Sequence, residues 1–367
     1  GISRWLNTGE KTGVLQLESS KVVISSTLGR RSENQDRAIF LRVRFEESRK
    51  PSMAALVLCD GMGGMVDGGK CANLAISTFA SSLVHTNASL LKEKLKIAVN
   101  DANRSVYENF RGRGGATLSA LSFNTTDEWA AVNVGDSRIY CVSNNGTVTL
   151  LTIDDTLEKQ LANLNLPSPP PEFRQLLQYV GMGKGIEPRI IDLNSFSGAK
   201  WFLITSDGAH SISDEMLHTL VGYAKNPREV ADRLTQLSEW LGGKDNSTVA
   251  VLEVKEDFFI ARENSDLTSL EVFGIPGKAE FFSVKALQVS NPLSSATLNN
   301  SDLDMPKNSN DPKVEKDSKK KPIRKKDQSN YKKRQSEKVS DTHPEESNNT
   351  EVDKTVPQLN IEFSEED

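Results

Sequence analysis

Five aspartates stand where a carboxylate can do chemistry. Three close apolar runs and are followed by a small residue: Asp60 in "LVLCDG", Asp136 in "AVNVGDS" and Asp207 in "FLITSDG". Asp245 stands just ahead of "NSTVAVLEV", and Asp36 ends the polar turn "SENQD". Taken singly, each reads equally well as a turn residue, because Asp-Gly is ordinary turn chemistry. Together they are five charges at strand mouths, and the strand mouths of one sandwich can converge on one spot. Gathered carboxylates repel one another, and a divalent cation relieves that repulsion. An all-oxygen donor set suits a hard ion, Mg2+ or Mn2+. The four histidines, His85, His210, His218 and His343, form no ligand spacing, and Cys59, Cys71 and Cys141 form no zinc or disulfide pattern. A second motif overlaps the first aspartate's loop. "GMVDGGKC" (64–71) approximates the phosphate-cradling G-x-x-x-x-G-K-[ST], with Cys71 in place of the hydroxyl residue.

The elements that must position these residues are legible from periodicity. "KVVISSTLG" and "RAIFLRVRF" read as strands about the turn "RRSENQD", and "MAALVLCD" is apolar enough for a strand buried on both faces. Helical spacing covers 70–84 and 89–110. Strands follow in "ATLSALSF", "EWAAVNVGD", "SRIYCVSN" and "TVTLLTID", the last two joined by the hairpin signal at 144–146. Segment 156–188 is mixed and includes the proline run "NLPSPPPEF". "AKWFLITSDG" is another buried strand. Two helices then start at caps Ser213 and Asn226, the second with Pro227 at its first position, before the strand "NSTVAVLEV". Strands joined by short turns, with helices in pairs, predict an α+β fold of two mainly antiparallel sheets flanked by helix pairs. This is not the βαβ alternation that a phosphate loop requires.

The chain has 367 residues and a net charge of −5, which argues against bulk nucleic-acid binding. No apolar run reaches the length of a membrane helix, and "GISRWLNTGEK" lacks the apolar core of a signal peptide. With unpaired cysteines, this predicts a cytoplasmic protein. Apolar patterning fills 1–255. Residues 256–288 read as a linker with a hairpin about Pro276-Gly277. Residues 289–367 read as a disordered charged tail: 313–338 hold 12 Lys/Arg against 4 Asp/Glu, and 341–367 hold 9 Asp/Glu against one Lys.

"RRSENQD", "LVLCDGMGG", "GGATLSAL", "AVNVGDSRIY", "FLITSDG" and "KDNSTVAVL" resemble, in order and over about 31–254, the successive motifs of the metal-dependent serine/threonine protein phosphatases of type 2C, in their bacterial-like branch. The resemblance implies a four-layer α-β-β-α sandwich with a two-metal site at one end. It implies that Asp60 bridges both ions with the Gly61 carbonyl on one, and that Asp207 and Asp245 hold the other. Asp36 supports the ions directly or through water, and Asp136 with Asp207 holds a weaker third. Arg31 matches the arginine that grips the substrate phosphate, a role its guanidinium fork suits. Asn246 and Gln35 stand one layer out, as orienting groups. Gly115, Thr117, Ser137 and Arg138 match scaffold positions.

The implied function is hydrolysis of phosphoserine and phosphothreonine in proteins by metal-activated water, opposing a serine/threonine kinase. The charged tail is a candidate for docking a partner, with "VPQLNIEF" (356–363) its best docking segment. The chain departs from the family pattern at several points. Met62 stands where animal relatives carry histidine, Gln35 replaces a common Glu, and Met65 and Lys70 replace the His and Glu of "GGHxxGE". The "HxxRN" stretch expected within 156–188 is missing. Two other readings compete: a phosphatase-like scaffold of weak or no activity, and a nucleotide binder at 64–71.

Overall fold

Strand β4 (Met53–Cys59) shows how a continuous apolar run becomes a strand buried on both faces. Met53, Ala55, Val57 and Cys59 enter one core, while Ala54, Leu56 and Leu58 enter another. This is the period of two expected of a pleated strand. Strand β10 (Ala199–Thr205) repeats the pattern, with Phe202 and Ile204 on the shared inner core and Trp201 and Leu203 on an outer one. Both sheets are therefore covered on both sides, and the layers number four. This is a computed structural model, and it describes residues 1–18, 21–45, 52–62, 67–163, 175–196, 198–254 and 268–283.

One sheet runs in the order β1 (Gly13–Leu17), β2 (Val22–Thr27), β11 (Ser247–Glu253), β10, β7 (Arg138–Ser143), β8 (Val148–Leu150). The other runs β13 (Gly277–Ser283), β12 (Thr268–Gly274), β3 (Arg37–Arg44), β4, β5 (Leu118–Asn124), β6 (Trp129–Val134), β9 (Arg189–Asp192). The pairings between neighbours are antiparallel throughout. The second sheet is covered by α1 (Ile2–Thr8), α2 (Gly68–His85) and α3 (Leu91–Phe110), through side chains such as Ile76, Phe79, Leu95 and Val99. The first is covered by α5 (Asp214–Gly222) and α6 (Pro227–Trp240), through Leu217, Val230 and Leu234. Ser213 and Asn226 cap these two helices, accepting from the backbone N–H of Met216 and Glu229. A short α4 (Leu157–Asn163) follows β8. Among the described residues no helix is long and apolar enough to cross a membrane.

Several features depart from the pattern reading. Helix α1 and strands β1 and β9 are too short to carry a periodic signal. β8 is three residues long, where a longer run was expected. The boundary at 255 requires correction: β12 pairs with β3 from Ser269↔Arg44 to Gly274↔Ile39, so 268–283 forms the edge of the second sheet rather than a linker. The cause is burial. Leu270 and Val272 enter the helix-side core, and Phe273 lies 6.3 Å from Phe40 between the sheets. Beside them Glu271, its side chain 5% exposed, is ringed by Arg42, Arg44 and Lys278 at 3.0–3.2 Å. The expected tail, 289–367, lies outside the described residues.

Candidate metal centre

Antiparallel pairing brings the aspartates together. The start of β3 lies beside the end of β4 (Arg37↔Cys59), which places Asp36 next to Asp60. The start of β5 is beside the ends of both β4 and β6 (Leu58↔Ser119, Leu118↔Val134), which adds Asp136. In the facing sheet the end of β10 meets the start of β11 (Thr205↔Val249), which adds Asp207 and Asp245. All five therefore stand at one end of the sandwich, where Arg31, Asp60, Asp136, Asp207 and Asp245 line an open pocket of about 420 Å³.

Each carboxylate is held by its own local chemistry. Asp60 is fixed through its backbone: its N–H donates to Thr117 Oγ1 (3.0 Å), and its carbonyl accepts from Thr117 N (2.8 Å). Thr117 Oγ1 is in turn 2.7 Å from Ser137 Oγ. Asp36 is buried. Its Oδ2 accepts from Ser206 Oγ (2.8 Å) and Thr248 Oγ1 (2.6 Å), while its Oδ1 is buried with no hydrogen-bond partner. Asn246 ties the loop before β3 to the start of β11. Its Oδ1 accepts from Gln35 N (2.9 Å), and its Nδ2 donates to the carbonyls of Leu28 (2.9 Å) and Glu33 (3.1 Å). Gly61 and Gly208 follow two of the aspartates because the backbone passes too close for a side chain. A Cβ on Gly61 would collide with the Gly68 carbonyl, and one on Gly208 with the Asn246 carbonyl.

The electrostatics record the crowding. Burial, then the charges of Asp36, Asp207, Asp136 and Asp245, push the Asp60 carboxyl well above the usual carboxylate range. Asp207 is pushed up to about 7 by burial and then by Asp136, Asp245 and Asp36. Asp136 is raised to about 6 by burial and then by Asp154. Burial dominates at Asp36 as well, raising it against the hydrogen bonds from Thr248 and Ser206. Asp245 has a cation beside it, with Arg31 Nη2 at 2.6 Å from its Oδ2. Among the described residues no three acid, histidine or cysteine side chains are drawn together into a closed ligand cage. Mutually repelling carboxylates do not close on one another without a counter-charge. A hard divalent ion fits what is present: oxygen donors only, an orphaned Asp36 Oδ1 in need of a partner, and charge repulsion for a cation to relieve.

The competing phosphate-loop reading of 64–71 fails on geometry. Lys70 Nζ pairs with Asp67 (3.1 Å) on the surface, and Cys71 is buried in the helix-side core. Residues 63–66 lie outside the described residues. Sequence reasoning missed Ser206, Thr248 and Asn34. The last accepts from Asp36 N (3.0 Å) and donates to Ser26 Oγ (2.8 Å). Ser206 and Thr248 adjoin predicted site residues at strand ends, which was the one available signal. Asp155 was also missed; it is buried and receives Gly135 N and Arg189 beneath the Asp136 loop. Part of the segment expected to hold a flap, 164–174, is outside the described residues. Just beyond it, Gln175 and Leu176 reach the pocket rim.

No family model matches the chain. A protein phosphatase 2C-type protein of Streptococcus pyogenes is 26% identical over 247 residues, 63% of this chain and 96% of the relative. The serine/threonine protein phosphatase PstP of Mycobacterium tuberculosis is 29% identical over 237 residues, 61% of this chain; the chain spans only 45% of PstP's length. Among solved structures, the PstP catalytic domain in complex with two manganese ions superposes with a TM-score of 0.51 at 28% identity, covering 64% of this chain and 98% of that one.

Proposed function

We propose that this chain, similar to the bacterial type 2C serine/threonine protein phosphatases, hydrolyses phosphoserine and phosphothreonine esters in proteins with the help of two bound Mg2+ or Mn2+ ions. The observation that carries this reading is Asp60, half-buried, lining an open pocket and crowded by the charges of four further carboxylates. Asp60, Asp207 and Asp245 are the side chains that would hold the pair, with the Gly61 carbonyl and Asp36 in support. Asp136 and Asp207 would hold a weaker third ion. When bound, such ions acidify a water for in-line attack on phosphorus and neutralise charge on the phosphoryl oxygens.

The chain's own groups do the rest. Ser206 and Thr248 fix one Asp36 oxygen and leave the other facing no donor. Asn246 sets the loop that carries Arg31, Gln35 and Asp36 against the start of β11. Arg31 occupies Asp245 in this structure. With Asp245 engaged by a cation, the Arg31 guanidinium would be free to grip the phosphoryl oxygens in a two-pronged fashion. Met62 lines the pocket and has no proton to give, so the departing serine or threonine alkoxide takes its proton from water. The natural opponent is a serine/threonine kinase in the same compartment, which we take to be the cytoplasm. The charged tail is a candidate docking segment for a partner.

The test is hydrolysis of a phosphothreonine peptide and of an aryl phosphate with Mn2+, with chelator, and with Asp60→Asn. Turnover should require metal and fall by several orders of magnitude in the variant. Metal-independent turnover, or full activity in Asp60→Asn, would remove the proposal.

A further inference from the structure

Trp240 is 89% exposed, an unusual state for the largest apolar side chain, and Leu241 beside it is 54% exposed. They close helix α6 and lead directly into the metal-centre loop. The chain folds back after them: Gly242 N donates to the Glu239 carbonyl (3.0 Å) and Gly243 N to the Ser238 carbonyl (2.9 Å). The Gly243 carbonyl then accepts from Arg30 N (2.7 Å). Gly29, with φ +61°, lies so close to the carbonyls of Gly243 and Asp245 that a Cβ there would collide with both. Asn246 holds the Leu28 carbonyl, and Leu28 is itself 37% exposed. Two loops are thus locked backbone to backbone. One carries Leu28, Arg30 and Arg31; the other carries Trp240, Leu241, Lys244 and Asp245.

The result is an apolar ledge of Leu28, Trp240 and Leu241, all exposed and carried by the same two loops that bring Arg31 and Asp245 to the pocket. Arg30 and Lys244 are exposed and have no ion pair among the described residues. With Arg31 they stand against Glu33, Glu239 and Asp245, the last paired with Arg31, so Arg30 and Lys244 are the two cations of these loops left for an incoming chain. Five chain steps separate Trp240 from Asp245, at most about 17 Å, and an extended peptide covers that span in about five residues.

We infer that this ledge is a docking surface for the polypeptide flanking the phosphoresidue, and that it selects an aromatic or bulky aliphatic side chain within about five residues of the phosphoserine or phosphothreonine. The inference rests on the phosphatase reading and adds a substrate preference to it. An aryl phosphate fills the pocket without reaching the ledge, whereas a peptide reaches both. The apolar flank would cover Trp240 and Leu241, and a phosphate with acidic neighbours would meet Arg30, Arg31 and Lys244.

The test uses the full chain with Mn2+ and phosphothreonine peptides in an alanine background. Phenylalanine is scanned over about five positions on each side of the phosphothreonine, with an aryl phosphate as the small substrate. The unsubstituted chain should prefer one or two phenylalanine positions by about tenfold in kcat/KM, mainly through KM. Trp240→Ser with Leu241→Ser should abolish that preference and leave aryl-phosphate turnover unchanged. A flat scan for the unsubstituted chain, or a preference that survives both substitutions, would overturn the inference. So would a dimer of the unsubstituted chain that the substitutions dissociate, since the ledge would then face a second copy. Failure to hydrolyse the aryl phosphate as well as the peptides would overturn the phosphatase reading itself.

Discussion

Asp207→Asn should stabilise the metal-free protein while abolishing its activity. The Asp207 carboxyl is pushed up to about 7 by burial and by Asp136, Asp245 and Asp36, against 3.8 for an unstrained aspartate. The folded state therefore keeps a proton that the unfolded chain releases, and ionising Asp207 costs folding free energy as pH rises between those values. The gap sets a ceiling of about 4 kcal/mol. Asp207 keeps partial access to water, so a realistic gain from asparagine is about 1–3 kcal/mol, or roughly 3–9 °C in Tm for a domain of this size. The gain should be largest at pH 8, above both values, and already a little over a third of that at pH 5, because the penalty accrues from the unfolded value of 3.8 upward. Thermal unfolding in chelator, followed by circular dichroism at both pH values, measures it. Adding Mn2+ should narrow or reverse the difference, because ligand that binds only the folded state stabilises the unsubstituted protein more. A variant no more stable than its parent at pH 8, or a gain independent of pH, would refute the electrostatic account.

Arg31→Ala should raise KM for aryl phosphate more than it lowers kcat, since Arg31 is read as a ground-state phosphate contact; steady-state kinetics checks this. The same change should alter metal-free stability by less than about 1 kcal/mol, because the ion pair with Asp245 is half-exposed. Glu271→Ala leaves Arg42, Arg44 and Lys278 facing one another without their shared carboxylate. It should cost about 2 kcal/mol by denaturant unfolding, less than a fully buried pair because the three cations keep some access to water. Truncation after residue 288 should leave aryl-phosphate turnover and Tm nearly unchanged. Truncation after residue 254 removes β12 and β13, bares the β3 edge and Phe40, and should lower Tm by many degrees.

What could be read from the sequence followed from the range of the physics involved. Residues such as Leu56 and Ile204 announce buried strands because apolar alternation is local, and Ser213 and Asn226 announce helix starts because capping is local. The five aspartates stood out because each ends or begins such a strand. Their convergence needed only that neighbours pair antiparallel. Less was visible where a role depends on distant partners. Ser206 and Thr248 look like ordinary strand-end hydroxyls until pairing of β10 with β11 sets them both on Asp36. The hairpin at 268–283 was recognisable, but its docking on β3 was not, because nothing local marks an open sheet edge. Arg31 was singled out for phosphate, and the structure adds its grip on Asp245, which no spacing could have shown.

The central claim is that the carboxylates at the sandwich mouth form a divalent-metal site. Anomalous diffraction from crystals grown with Mn2+ tests it most directly. The account predicts two strong peaks within ligating distance of Asp60, with Asp207 and Asp245 on the same ions and Arg31 released from Asp245. Bound Mn2+ away from Asp60, or no bound Mn2+ at millimolar concentration with Arg31 still on Asp245, would contradict it.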